Sequence, residues 1–276
     1  MKDLDLGTSV LDFQPNGVPD NQQHGECEDC ARLHEPCAWH IEQAELIPGP
    51  ATETIGALAR EHDIHVVFGL EEKDPVDPST LYNSAAVVSP EGLVGTYRKI
   101  HLGIPLETNR FTPGDQVPVF HTRLGSIGIS ICYDFYNNPE LSRILALKGA
   151  RILINPTGSA NLPGKAPMIT NTTLVRAQEN LVYAVSSNRV GDQGGSKWAG
   201  NSAIGGPDFP GFGRVYAEAG QDEQLILATL NFDQLAAWYD WLPWREWRLG
   251  PQQYATEIVA REFSEISKSA GRLPKR

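Results

Sequence analysis

The sequence predicts a layered α/β fold, on three observations. Short apolar runs of strand length alternate with helix-like stretches from about residue 45 onward. No internal repeat, low-complexity tract or long linker interrupts that alternation, so it reads as one main domain. Hydrophobic residues make up 41% of the 276, enough to bury a sizeable core and too many for wholesale disorder. By itself the alternation does not choose among α/β folds.

In chain order, Val10 to Phe13 reads as a short strand. Residues 14–44 hold three of the four cysteines, three histidines and many acids with little periodicity, and no element is assigned there. Pro48 to Pro50 punctuate a loop, and Thr52 is placed to cap a helix through about His62. Ile64 to Leu70 is a buried strand. Leu81 to Val88 and Leu93 to Arg98 flank the turn sequence Ser89-Pro90-Glu91-Gly92 and form a hairpin. Ile127 to Ile131 is the next strand. Pro139 sits where a helix tolerates proline best, Leu141 to Lys148 continue that helix, and Gly149 stops it. A strand over Ile152 to Ile154 ends in Asn155-Pro156-Thr157-Gly158. A helix over Met168 to Glu179, a strand over Val182 to Ser186, a strand over Leu225 to Leu230 and a short helix over Phe232 to Tyr239 complete the pattern. The chain thus divides into an atypical segment 1–44, a main domain 45–250 and a tail 251–276.

The formal net charge is −11, which argues against nucleic-acid or anionic-membrane partners, since both require a basic face. The one basic cluster, Lys268 to Arg276, reads as a solvated end. No apolar run approaches the roughly 20 residues of a membrane span, and residues 1–20 lack the pattern of a signal peptide. A cytoplasmic, reducing setting is expected, in which the four cysteines need not pair.

Taken singly, the candidate chemical residues have ordinary readings. Cys132, in SIGISICYDFYNNPE, follows an apolar strand and precedes a proline-started helix. It reads either as a buried core cysteine or as a nucleophile exposed at a strand-to-helix turn, with backbone N–H groups nearby. Lys99 in TYRKIHLGIP and Glu107 in PLETNRFTPGD each read alone as surface charge.

Together they carry more. The stretches IPGPATETIGALAREHDIHVVFGL, LYNSAAVVSPEGLVGTYRKIHL, RFTPGDQVPVFHTRLGSIGISICYD and RAQENLVYAVSSNRVG are similar, in order and spacing, to successive blocks of the nitrilase superfamily of carbon-nitrogen hydrolases. The similarity runs from about Glu45 to Ala219, with an echo at LPWREWR. It implies a four-layer α-β-β-α sandwich with Cys132, Lys99 and Glu107 at one end of the sheets. It implies Cys132 as the nucleophile that forms a thioester or thioimidate, and Lys99 as the cation that stabilises thiolate and oxyanion. The Tyr133 backbone N–H is then the second oxyanion donor, and Glu107 orients Lys99 and holds the substrate amide. Asn155 is a candidate pocket residue, although loop structure is its simpler reading, as it is for Thr157. His101 is structural on this scheme. Arg176, Glu179, Asn180 and Asn188, in RAQEN and SSNR, form an internal polar network supporting the site. Because Tyr133-Asp134 follow the nucleophile, the chain resembles amidase-type members more than typical nitrilases or carbamoylases. A small carboxamide is the expected substrate, with nitriles, N-carbamoyl compounds or a non-catalytic binding role as alternatives. The resemblance also implies a homodimer or higher homo-oligomer. The crowding of Trp238, Trp241, Trp244 and Trp247 fits either an interface or packing on the chain's own core.

One piece of the pattern is absent. The family's first catalytic glutamate ends a strand reading like FPE, and residues 14–44 contain no such strand. Glu35, in HEPCA, is the nearest candidate general base, and turnover is expected to be weak without a fixed one. The same segment contains Cys27-x-x-Cys30 and Cys37-x-x-His40. These are zinc-type ligands, but the six residues between the pairs are few for a finger or ribbon. The sequence reading is an atypical, loosely ordered segment with no metal, and no cofactor is expected.

Overall fold

The computed structural model describes residues 4–8, 28–103, 107–193 and 196–269. The strand read at Val10 to Phe13 lies outside them. Strand β1 is Leu4–Thr8, and the short helices α1 and α2 are Glu28–Leu33 and Ala38–Gln43. Helix α3, Pro50–His62, starts two residues before Thr52. Pro50 opens it because its missing N–H costs nothing there. The Thr52 hydroxyl closes the first turn by bonding both the N–H and the C=O of Gly49. Asp63, with φ of 53°, ends the helix in the left-handed region.

Strands β2 (Val66–Lys73), β3 (Leu81–Ser89) and β4 (Gly92–Arg98) form an antiparallel meander. Register pairs Val66 with Val88, and Ser84 with Arg98. Alternation along β3 decides what each face meets. Val88 packs with Ile55 and Ala59 of α3. Ala85 and Val87 point the other way, into a core with Phe120, Ile127, Ile129 and Ile131.

Those partners belong to a second sheet. It contains β5 (Val119–Thr122), β6 (Gly125–Ile129), β7 (Ile152–Thr157), β8 (Tyr183–Asn188), β11 (Ala203–Asp208) and β12 (Gly211–Glu218), in the order β12-β11-β8-β7-β6-β5. A small antiparallel pair, β9 (Asp192–Gln193) and β10 (Ser196–Lys197), follows β8. At the centre β6, β7 and β8 run parallel. Helices α4 (Tyr133–Asn137), α5 (Pro139–Leu147) and α6 (Lys165–Asn180) make the crossovers. The far face of this sheet buries Phe135, Leu145, Ile169 and Ala177 from those helices against Leu153 and Ala184. The layers are therefore α3, the meander, the six-stranded sheet, and α5 with α6: the four-layer α-β-β-α sandwich expected.

The chain returns through β13 (Ile226–Leu230), which pairs antiparallel with β1. It then continues through α7 (Phe232–Trp241), α8 (Trp244–Leu249) and α9 (Gln253–Ser269). Most of the region read as a tail is thus a 17-residue helix. Trp238 is buried, whereas Trp241 and Trp247 are exposed. Among the described residues no helix is long and apolar enough to cross a membrane.

Candidate active site

In open α/β sheets, sites form at the carboxyl ends of parallel strands. Here those ends carry Cys132 after β6, Asn155 in β7 and Asn188 at the end of β8. Cys132 sits at φ 50°, ψ −103°, a conformation costing roughly 1–3 kcal/mol for a residue with a side chain. The surroundings hold it there. Its backbone N–H donates to Asn155 Oδ1 at 2.7 Å, and Asn155 Nδ2 donates in turn to Ser186 Oγ at 3.0 Å. Tyr133 begins α4, so its N–H has no partner in the helix ladder. Behind this turn, the Arg176 guanidinium donates to the C=O of Phe135 and of Tyr136, at 2.9 and 3.0 Å, and also to Glu179. Asn188 Oδ1 accepts from the Ser159 N–H. Asn180 Nδ2 donates to the Arg176 C=O at 2.9 Å, so Arg176, Glu179 and Asn180 are bonded together as expected, while Asn188 belongs to a separate set with Ser159, Ser202 and Gly200.

Lys99 is 2% exposed. Its backbone is fixed on both sides: its N–H donates to Asn83 O, and its C=O accepts from Gly114 N–H, each at 2.8 Å. Gly114 must be glycine for that approach, because a Cβ there would stand 2.3 Å from Arg98 O. This explains why YRK and FTPGD occur together. The Lys99 ammonium donates to Glu107 Oε2 at 2.5 Å, and Asn83 Nδ2 donates to Glu107 Oε1 at 2.7 Å. The Gly103 N–H also donates to Glu107. A buried ammonium requires such a partner.

Asp134 joins the two halves of the site. Fully buried, it accepts from the Tyr97 hydroxyl at 2.6 Å and from the backbone N–H groups of Ile100 and His101 at 3.1 and 2.7 Å. His101 Nδ1 is also bonded to it at 2.8 Å. A side chain two residues past Cys132 therefore grips both flanks of Lys99, and His101 has the structural part expected of it.

Sequence reasoning passed over three residues here. Asn83 and Asp134 are polar residues next to apolar runs, a signal that was readable. Ser159 carried none: its hydroxyl lies 3.9 Å from Cys132 Sγ and 3.2 Å from Thr157 Oγ1. Tyr136 is also buried nearby. Burial first, and the adjacent Cys132 charge second, push its hydroxyl well above the usual tyrosine range. Asn155 and Thr157 lie in β7, not in a loop, and both polar atoms of Asn155 are committed internally.

The N-terminal acids are placed differently. Glu35 is exposed on the bend between α1 and α2, and Glu42 is exposed on α2. Glu45 Oε2 accepts from the Ala51 N–H at the start of α3. Glu71 bonds His40, and Glu72 bonds Arg98 and Ser84.

Known proteins resemble this chain in sequence and fold. The carbon-nitrogen hydrolase family matches residues 26–240. The chain is 39% identical over 214 residues to an (R)-stereoselective amidase of a Pseudomonas species, covering 76% of this chain and 74% of that protein. It is 33% identical to an omega-amidase of Xenopus tropicalis, covering 75% and 76%. Among solved structures, a carbon-nitrogen hydrolase from Helicobacter pylori superposes with a TM-score of 0.67 at 25% identity, covering 76% of each chain. An amidase from Nesterenkonia, solved with butyramide, superposes with a TM-score of 0.58 at 26% identity, covering 68% and 69%. From its sandwich fold, its cysteine turn and these relatives, the chain belongs to the carbon-nitrogen hydrolases of the nitrilase superfamily, enzymes of non-peptide C–N bonds, on the amidase-like branch.

Proposed function

We propose that this protein hydrolyses a small carboxamide, with Cys132 as nucleophile. The observation carrying this reading is the buried Lys99–Glu107 pair, locked to the Cys132 turn through Asp134. Cys132 Sγ attacks the amide carbon. The oxyanion that forms is held by the Lys99 ammonium and the Tyr133 N–H. The C–N bond breaks, the nitrogen leaves as ammonia with an added proton, and water cleaves the thioester to free the acid and the thiol. Glu107 orients Lys99, and Asn155 positions the Cys132 backbone. The amidases among its relatives favour an amide over a nitrile or N-carbamoyl substrate.

The proton traffic sets the rate. A general base within reach contributes typically 10²–10⁴-fold. Glu35, exposed on its bend, lacks the fixed position a strand supplies. Turnover is therefore slow, with Glu107 taking part of the proton transfer. The test is ammonia release from a panel of carboxamides, nitriles and N-carbamoyl compounds, run on the natural chain, Cys132→Ala, Glu35→Gln and Glu107→Gln. We expect slow release from carboxamides, abolished in Cys132→Ala, reduced roughly 10²-fold or more in Glu107→Gln, and unchanged in Glu35→Gln. Fast turnover that collapses in Glu35→Gln makes Glu35 the base and overturns the assignment. Rapid alkylation of Cys132 with no ammonia from any compound favours the non-catalytic binding role instead.

A further inference from the structure

Residues 28–43 present a problem of stability. Helices α1 and α2 have six residues each, while isolated helices below about 12–15 residues are marginal in water. Among the described residues, the apolar cluster shared by the two helices is small, Cys30 and Cys37 with Trp39 against them, while Ile41 of α2 packs separately beside Ala44, Leu81 and Phe111. Such a segment requires another organising interaction.

We propose that Cys30, Cys37 and His40 bind a zinc ion. All three side chains are buried, at 2%, 5% and 3% exposure. Their ligand atoms lie within 4.8 Å of one another. In a tetrahedral site with Zn–S about 2.3 Å and Zn–N about 2.0–2.1 Å, ligand atoms stand roughly 3.5–3.8 Å apart. Contraction by about one ångström, within side-chain rotation, closes the site around the ion. Two cysteines and a histidine are the donor set zinc prefers over calcium or magnesium.

The surroundings fit the same ion. The Cys37 N–H donates to Cys30 Sγ at 3.2 Å, a bond that favours the thiolate. His40 Nδ1 lies 2.9 Å from Glu71 Oε2. A carboxylate on one ring nitrogen fixes the tautomer and leaves the lone pair on the other, as is usual for metal-bound histidine. That other nitrogen, Nε2, now accepts from Arg110 at 2.8 Å. Zinc takes this lone pair, and the Arg110 guanidinium turns to Glu71, whose Oε1 is already 3.6 Å away. Two thiolates neutralise the ion's charge, so the Arg110–Glu71 pair stays balanced beside it. Three ligands leave the fourth tetrahedral position open to a further donor; Cys27 lies outside the described residues. The absence of metal expected from ligand spacing gives way here to the geometry of the three side chains. The ion would fasten α1 and α2 to β2 through Glu71, and to the turn after Glu107 through Arg110.

The test uses the whole natural chain under reducing conditions. Zinc is measured by elemental analysis after zinc reconstitution and dialysis, and chelator-stripped protein is titrated with cobalt(II). We expect about one equivalent of zinc per chain. Cobalt should give a tetrahedral spectrum with thiolate-to-cobalt charge transfer, saturating at the same stoichiometry. Cys132→Ser keeps both signals, and Cys37→Ser loses the charge-transfer band. Should Cys37→Ser fail to fold, the cobalt spectrum of the natural chain decides, because the charge-transfer band reports thiolate ligands directly. Less than about one tenth of an equivalent of zinc after reconstitution overturns the proposal. So does cobalt binding that disappears in Cys132→Ser, or a Cys30–Cys37 disulfide persisting in reductant.

Discussion

At the scale of single residues, Asp134 has the widest reach, because its carboxylate serves four donors drawn from Tyr97, Ile100 and His101. A carboxylate is an acceptor at both oxygens, whereas an amide offers one oxygen and turns two N–H donors toward the other partners. Asp134→Asn therefore sets donor against donor at either the Ile100 N–H or the His101 N–H. Unsatisfied buried groups cost about 1–3 kcal/mol each, and the flank of Lys99 they hold must shift. Misplacement of a catalytic group by about an ångström is worth about 10²-fold in rate. On the proposed amide hydrolysis we expect kcat to fall by that order in Asp134→Asn while KM changes by less than about threefold. The alkylation rate of Cys132 should fall as well. A variant with a lower melting temperature but unchanged kcat at low temperature would reduce Asp134 to a purely structural residue.

At the scale of elements, legibility followed how local each signal was. Helix α5 was readable because Pro139 and Gly149 mark both ends, and the β3–β4 hairpin because Ser89 to Gly92 spell a turn. The start of α3 lies three residues earlier than a Thr52 cap implies, since Gly49 holds the cap position and Thr52 closes the first turn from inside. Strands β11 and β12 went unread. Their glycines, at 205, 206, 211 and 213, look like loop residues, yet Gly206 is there because a Cβ would stand 2.2 Å from the Tyr183 ring. Cys132, Lys99 and Glu107 were legible as a set because their blocks keep a family order. Asn83 and Asp134 show as polar residues beside apolar runs, yet the partners that give them their roles lie 24 to 37 residues away, and Ser159 meets Cys132 across 27 residues, so their polarity could be read locally but not their roles. Helix α9, in the region read as a tail, is another unread element. It exposes Tyr254, Ile258, Val259, Phe263 and Ile266, and Trp241, Trp247 and Leu249 are exposed just before it. An apolar surface of this extent is unusual on a monomer, and a second copy of the chain is the occupant the sequence resemblance implies. We expect light scattering to report a homo-oligomer, and Phe263→Glu combined with Ile266→Glu to shift it toward the monomer. A natural chain that stays monomeric at high concentration would sink the idea.

Across the whole molecule, buried tyrosines couple the fold to alkaline pH. The Tyr97 hydroxyl, held by burial first and the Asp134 charge second, lies far above its ordinary value of 10.0. Burial pushes Tyr136 up likewise, and Tyr239 up to about 12. Each ring packs at a different place: Tyr97 between the sheets with its hydroxyl on Asp134, Tyr136 behind the cysteine turn, and Tyr239 on α7 with its hydroxyl donating to Leu181 O at 2.8 Å. The sign of the effect follows from proton counting. A phenol with a raised folded pKa keeps its proton while the unfolded chain loses its own, so the unfolded state binds fewer protons above about pH 10. Stability is then independent of these groups below that pH and falls as pH rises through the interval up to the folded value. Each unit of displacement is worth about 1.4 kcal/mol. For Tyr239, displaced from 10.0 to about 12, that is about 2–3 kcal/mol at the top of the interval. Tyr97 and Tyr136, also raised by burial, act in the same direction. We therefore expect cooperative alkaline unfolding that begins above about pH 10, in which the late part of the phenolate absorbance rises together with the loss of near-ultraviolet circular dichroism. If every tyrosine ionises near its ordinary value while the dichroism of the folded chain persists, these hydroxyls are not held as the structure holds them.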